Sequence, residues 1–300
     1  MKQDIDGYTK LSILGRGAYS TIFLGRDKSK GEICAIKQVE ITKPDQMKYI
    51  GHLESEHAIA QQFDHPVLRK TYKVIFYRKW LKVQSAALIM EYADGKPLSD
   101  MLPSTDYVRM LKIFRHLAKG LDAMHWRRYV HADLKPDNVI VNTQDRVKLI
   151  DYGQSFEMGQ AKERVQGTVD FIAPEQVRRE ILDQRTDVFG LGAVMHRVFT
   201  DQPLPTLLNK ELNQHTLALV GKRVDKTDAV EEARLPSHLS RLLERCCQPQ
   251  RENRPPNMQA VIRLIEMTMM KIHSAQVQGD RQAAGAEEDD GDETASQAAI

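Results

Sequence analysis

His131-Ala132-Asp133-Leu134-Lys135-Pro136-Asp137-Asn138 gathers two carboxylates, an ammonium and a carboxamide into one polar stretch. Short β-prone segments flank it between Tyr129 and Asp151, so it reads as a loop held between strands. Downstream come Asp151-Tyr152-Gly153 and then Ala173-Pro174-Glu175. Upstream, in chain order, lie Gly15-Arg16-Gly17-Ala18-Tyr19-Ser20-Thr21-Ile22, the strand-like Ala35-Ile36-Lys37, and Glu56 inside a helical stretch. In a glycine-rich turn the missing Cβ atoms let backbone N–H groups approach anionic oxygens. By itself the turn is equally well read as an ordinary hairpin, since Ser20 stands where G-x-G-x-x-G has its third glycine.

The surrounding patterns set the architecture. From Thr9 to about Val39, β-prone segments alternate with turn clusters such as Asp27-Lys28-Ser29-Lys30-Gly31, which predicts an antiparallel meander. A helix is expected from Pro44 through Ile50, Leu53 and Ala60, ending before Asp64-His65-Pro66. Strand-like sequence returns at Val74-Ile75-Phe76-Tyr77 and Ala86-Ala87-Leu88-Ile89-Met90. Beyond Glu91-Tyr92-Ala93-Asp94-Gly95 the period changes: Leu111, Phe114, Leu117, Ala118, Leu121 and Met124 recur at amphipathic-helix spacing. Further helical patterns cover about 188–199, 239–247 and 258–272. The expected fold is α+β and bilobal, with a small antiparallel-sheet lobe and one helix over about 8–90. A hinge at 91–95 and a larger, mainly helical lobe over about 96–273 complete the domain. Residues 274–300, rich in Ala, Gln, Gly, Asp and Glu, are expected to be a disordered acidic tail.

Composition narrows the class. The chain has 300 residues, 41% hydrophobic and 28% charged, and no apolar run approaching the roughly 20 residues that span a bilayer. The N-terminus lacks a secretory signal, so the expectation is cytoplasmic with no membrane partner. Cys34, Cys246 and Cys247 form no C-x-x-C pair and are expected to be reduced, buried thiols. Net charge is +2; the tail carries seven acidic residues and one basic, which leaves +8 on the rest. Lys and Arg are spread without the aromatic interleaving of a nucleic-acid reader, so no nucleic-acid partner is expected.

Taken in order, these segments resemble the signature set of the eukaryotic-type protein kinase family, from about Tyr8 to Ile272. The resemblance implies transfer of the γ-phosphoryl group of ATP, with Mg2+, to a protein hydroxyl. Such transfer depends on cation placement and alignment more than on covalent chemistry. By resemblance, Leu14, Gly15, Arg16, Gly17, Ser20 and Ile22 cover the nucleotide, and Lys37, paired with Glu56 in preference to Glu54, meets its α- and β-phosphates. Met90 is the gatekeeper, Glu91 and Ala93 belong to the adenine-binding hinge, and Ala35 and Ile140 sandwich the ring with Ile22. Asn138 and Asp151 are hard oxygen donors that suit magnesium. Asp133 would accept the acceptor hydroxyl's proton, Lys135 would neutralise the transferring group, and Thr168 would position the substrate. His131 and Tyr152 read as structural, Asp187 as the anchor of the catalytic loop, and Glu175 with Arg254 as a buried pair.

Lys135 and Gly167-Thr168 resemble the serine/threonine class, and the short loop after Asp151 invites comparison with compact prokaryotic members. Two other readings stay open: a pseudokinase scaffold and a small-molecule kinase. Ala132 replaces the arginine that in many relatives receives an activation-loop phosphate, and from Gln154 to Val169 the only hydroxyls are Ser155 and Thr168. The expectation is activity without activation-loop phosphorylation.

Overall fold

The computed structural model describes residues 5–17, 19–80, 82–206 and 235–293, with the helical backbone alone from 276 onward. In the first lobe, β1 (Tyr8–Arg16), β2 (Thr21–Asp27), β3 (Ile33–Glu40), β4 (Thr71–Lys79) and β5 (Lys82–Glu91) form an antiparallel sheet in the order β1-β2-β3-β5-β4. The first three strands make the meander expected from Thr9 to about Val39. Helix α1 (Met47–Ala60) separates β3 from β4, and the chain returns with β5 inside and β4 at the edge. The physical reason lies in the strands: Ala86 to Met90 are fully buried on both faces, whereas β4 carries the exposed Tyr72. Strand alternation then divides the sheet. One face, with Ala35, Leu88 and Met90, packs on Ile50 and Leu53 of α1; the other, with Cys34, Ile36 and Ile89, packs on Tyr8 and Phe23. Lys37 lies two residues after Ala35 and so shares the α1 face.

The second lobe contains β6 (Lys96–Pro97), α2 (Tyr107–Trp126), β7 (Tyr129–Val130), β8 (Val139–Val141), β9 (Val147–Leu149) and β10 (Phe156–Glu157). These are followed by α3 (Pro174–Val177), α4 (Gln184–Thr200), α5 (Ser237–Cys246) and α6 (Met258–Glu293). Asp106 caps α2 by accepting from the Arg109 N–H at 3.1 Å. The α2 residues Leu111, Phe114, Leu117, Ala118, Leu121 and Met124, all buried, join α4, α5 and α6 in one core. Gly95 ends the hinge at φ +132, and a Cβ there would overlap the Val141 carbonyl.

The tail departs from the sequence expectation. Helix α6 continues through residue 274 to Glu293, and residues 294–300 lie outside the described residues. Ala, Gln and Glu are good helix formers, and extending a helix already nucleated avoids the cost of starting one. The cysteines are free, with Cys34 and Cys246 buried. Burial pushes their thiols up, to about 11 for Cys34 and about 12 for Cys246. Among the described residues, no helix is long and apolar enough to cross a membrane.

Candidate active site

Strand β3 delivers Lys37 to the side of the sheet that α1 covers. Its Nζ lies 2.6 Å from Glu56 Oε2 and 3.9 Å from Asp151 Oδ1. Glu56 is buried in α1 while Glu54 points outward, so the pairing falls to Glu56. Burial alone would depress the lysine, but Glu56 and Asp151 outweigh it and hold the ammonium above its ordinary range. For Asp151 burial acts upward, yet Lys37 and the Gly153 N–H, 2.9 Å away, keep the carboxyl below the usual range. Each group therefore keeps its charge at neutral pH.

The glycine turn is closed by the Gly17 N–H donating to the Ser20 carbonyl at 2.8 Å. Gly15 faces Ile22 across the hairpin, and Ile22 in turn faces Lys37. Leu14, Arg16 and Gly17 are exposed, and Ser20 is half-buried. The ring of Tyr19, at the turn's tip, stacks on Tyr49 of α1 with centroids 3.8 Å apart. Ala35 faces the fully buried Met90 across the sheet, and Ile140 lies half-buried on β8. At the hinge, the Glu91 N–H is committed to the Lys70 carbonyl at 2.9 Å. Its carboxylate meets Lys148 at 2.7 Å, and Ala93 is half-buried two residues on.

Across the cleft, the buried Asp187 of α4 organises the loop that begins at His131. Its Oδ1 accepts from the Ala132 N–H at 2.9 Å, and its Oδ2 accepts from the His131 N–H at 2.8 Å and lies 2.8 Å from His125 Nε2. Burial pushes Asp187 up, but His125 and the backbone donors prevail and the carboxyl stays below its usual range. Asp133 Oδ1 accepts from the Thr168 hydroxyl at 2.9 Å, and the Asp133 carbonyl accepts from Asn138 Nδ2 at 3.0 Å. Lys135 is half-buried two residues along. His131 and Tyr152 are buried with ring centroids 6.2 Å apart. Glu175 and Arg254 form a buried bidentate pair at 2.7 and 2.9 Å.

Three further residues matter here and are not legible in the sequence. Gln176, next after Ala-Pro-Glu, donates to the Ala132 carbonyl at 2.8 Å and the Gln166 carbonyl at 3.1 Å, joining the catalytic loop to the segment before Thr168. Arg69, buried, places Nη2 3.4 Å from Glu56 Oε1. Lys162 donates to the Gln154 carbonyl and lies over the Phe156 ring; burial depresses its ammonium to about 8, against the opposing pull of Asp133 and Asp187.

The donor chemistry fits a hard cation held partly by the protein. Among the described residues no group of three or more His, Cys, Asp or Glu could hold a metal ion. Asp151 stays ionised at the cleft, and Asn138, whose amide N–H is spent on Asp133, has its oxygen left as an acceptor. One or two protein oxygens completed by water and phosphate are what magnesium takes.

A family model described as the protein kinase domain matches residues 8–263. An Aurora kinase of Candida glabrata is 28% identical over 221 residues, covering 72% of this chain and 58% of that protein. The Aurora kinase of Saccharomyces cerevisiae is 30% identical over 204 residues, covering 63% and 52%. The serine/threonine-protein kinase Nek10 of Mus musculus is 26% identical over 286 residues, covering 89% and 25%. The chain thus spans little more than half the length of these Aurora kinases.

Proposed function

Because this chain belongs to the protein kinase family, we propose that it is a serine/threonine kinase that passes the γ-phosphoryl group of magnesium ATP to a hydroxyl of a protein substrate. The observation that carries this reading is Lys37 Nζ lying between Glu56 and Asp151, at 2.6 and 3.9 Å, with the lysine held above and Asp151 held below their ordinary ranges. Membership implies ATP with a divalent metal; magnesium is chosen on the donor set of Asp151 and Asn138. Bound, the magnesium nucleotide supplies the phosphoryl group and neutralises charge on its oxygens.

The chain's own residues do the rest. Lys37 orients the α- and β-phosphates while Glu56 fixes the ammonium. The glycine turn offers N–H groups above them, and Ile22, Ala35, Met90 and Ile140 give the adenine apolar walls beside the Glu91 and Ala93 backbone. Asp133 accepts the proton of the incoming hydroxyl, and Thr168, bonded to that carboxylate, fixes its rotamer beside the acceptor. Lys135 neutralises the group in transit. The two-lobed domain of 1–273 followed by the acidic extension from 274 is part of the same reading, as are a cytoplasmic setting and the absence of a nucleic-acid partner.

Activity without activation-loop phosphorylation also belongs to the proposal. Ser155 is buried and donates to the His131 carbonyl at 3.3 Å, and Thr168 is engaged by Asp133. Gln176 bridges the catalytic loop to Gln166 with no phosphate required.

The test is transfer from labelled ATP with magnesium to a generic protein substrate, followed by phosphoamino-acid analysis. Enzyme co-expressed with a phosphatase, and shown by mass spectrometry to be unmodified over 154–169, is expected to label serine and threonine at full initial rate. Absence of transfer would favour a scaffold. Activity appearing only after Ser155 or Thr168 gains phosphate would refute the unmodified-loop reading.

A further inference from the structure

We propose that Arg69 is a positioning residue of the cleft: a second cation that holds Glu56, and with it helix α1, when Lys37 is drawn to the nucleotide's phosphates. The inference rests on the reading of Lys37 given above.

Arg69 sits between the His65-Pro66 turn and β4, 6% exposed. Its N–H donates to the Leu149 carbonyl at 3.1 Å, and its own carbonyl accepts from the Tyr152 hydroxyl at 3.2 Å. Its side chain reaches the other way, to Glu56. One residue therefore ties the segment that carries Asp151 to the helix that carries Glu56. The oxygens of Glu56 are divided between two cations, Oε2 to Lys37 and Oε1 to Arg69.

Charge explains why two are needed. Lys37 and Arg69 balance Glu56 and Asp151 while Lys37 serves both carboxylates. A triphosphate adds negative charge that competes for the same ammonium. Glu56, 1% exposed, would then be a buried carboxylate with a shared partner, a costly state. Arginine prevents it because its guanidinium cannot give up its proton.

Stability does not account for this arginine. A buried ion pair replaced whole by apolar side chains of similar volume is often neutral or more stable, so the pair as such is weak evidence of a stabilising role. Among the described residues, Arg69 Nε has no hydrogen-bond partner, so the guanidinium is incompletely satisfied where it lies.

Purified wild type, Arg69→Met, Arg69→Lys, Glu56→Gln, the Glu56→Gln/Arg69→Met double variant and Lys37→Met separate the possibilities. Arg69→Met is expected to lower kcat/KM for ATP about 10- to 100-fold, the scale of one charge-assisted hydrogen bond. Its Kd for magnesium ATP by calorimetry should weaken in parallel, and Tm should fall by less than in a variant that leaves a carboxylate with no partner, since Glu56 keeps Lys37. Arg69→Lys should recover part of the loss. In the Glu56→Gln background, Arg69→Met should add less than about threefold, because it acts through Glu56. Unchanged kcat/KM and Kd in Arg69→Met would overturn the inference, and so would an equal loss with or without Glu56. If Arg69→Met does not fold, Arg69→Lys decides: wild-type folding with intermediate kcat/KM supports the proposal, and wild-type kcat/KM overturns it. Near-normal transfer by Lys37→Met would instead bring down the reading of the site itself.

Discussion

Glu175 and Glu56 are both nearly inaccessible, at 3% and 1% exposure, and both face a guanidinium, yet they are held in different ways. Arg254 grips both oxygens of Glu175, at 2.7 and 2.9 Å, and Thr186 adds a hydroxyl donor at 2.9 Å. The remaining guanidinium N–H groups go to the carbonyls of Gln248, Arg185 and Pro249, and the Phe189 ring lies 4.9 Å beneath. Every donor is used and none faces the cleft. Glu56 is instead split between two residues, one of them partly exposed and shared with Asp151. A saturated pair can only stabilise, whereas an unsaturated one can exchange partners during a reaction.

That contrast can be broken at either end. The largest effect is expected at the open pair: Lys37→Met should reduce phosphoryl transfer by roughly 10²–10⁴-fold, the range for a positioned catalytic group, with Tm nearly unchanged. Transfer kinetics and a thermal melt on one preparation check both halves. At the closed pair the signature inverts. Arg254→Met leaves Glu175 buried without its partner and should cost about 3–5 kcal/mol, lowering Tm by about 10 °C.

Lys162 gives a smaller, pH-dependent effect. Its folded value is about 8 against an ordinary 10.5. Below the folded value both states are charged, and above the unfolded value both are neutral. Between the two, the unfolded chain binds a proton that the folded chain does not, so this lysine's contribution to stability rises with pH across that window. Denaturation of wild type and Lys162→Met at several pH values should show the difference between them shrinking from the pH 8 side upward. A constant difference would show that Lys162 is less buried than described. The smallest effect is expected from ending the chain after residue 273, which should shift Tm by no more than about 1–2 °C, since the removed part is poor in apolar residues. A larger fall would mean that the extension of α6 packs on the body.

Legibility followed the range of the forces involved. The α2 stripe from Leu111 to Met124 was readable because one helical period decides which side chains are buried. The run from His131 to Asn138 stands out in the sequence because it crowds charged and amide side chains at short spacing, and the structure brings Asn138 Nδ2 to the Asp133 carbonyl. Arg69 was not, since a single cation before a strand looks like a surface residue until α1 arrives from elsewhere in the chain to cover it. The interior place of β5 depends on non-local pairing, and the bridge made by Gln176 exists only once the loops have closed. In the tail two local signals conflicted: composition argued for disorder and residue propensity for helix, and continuity with α6 favoured the helix.

Ala132 adopts φ +60, a left-handed conformation that costs an ordinary L-residue about 1–2 kcal/mol. Its N–H is taken by Asp187 and its carbonyl by Gln176, so the bend that presents Asp133 is imposed on the backbone from outside. In hereditary terms, the shape of the catalytic loop is written 55 and 44 residues downstream of Ala132. Glycine at 132 would relieve the bend's steric cost, whereas any larger side chain must also fit where Ala132 packs with Val130 and Leu182. A change at 176 or 187, outside the loop, would be inherited as a displaced Asp133.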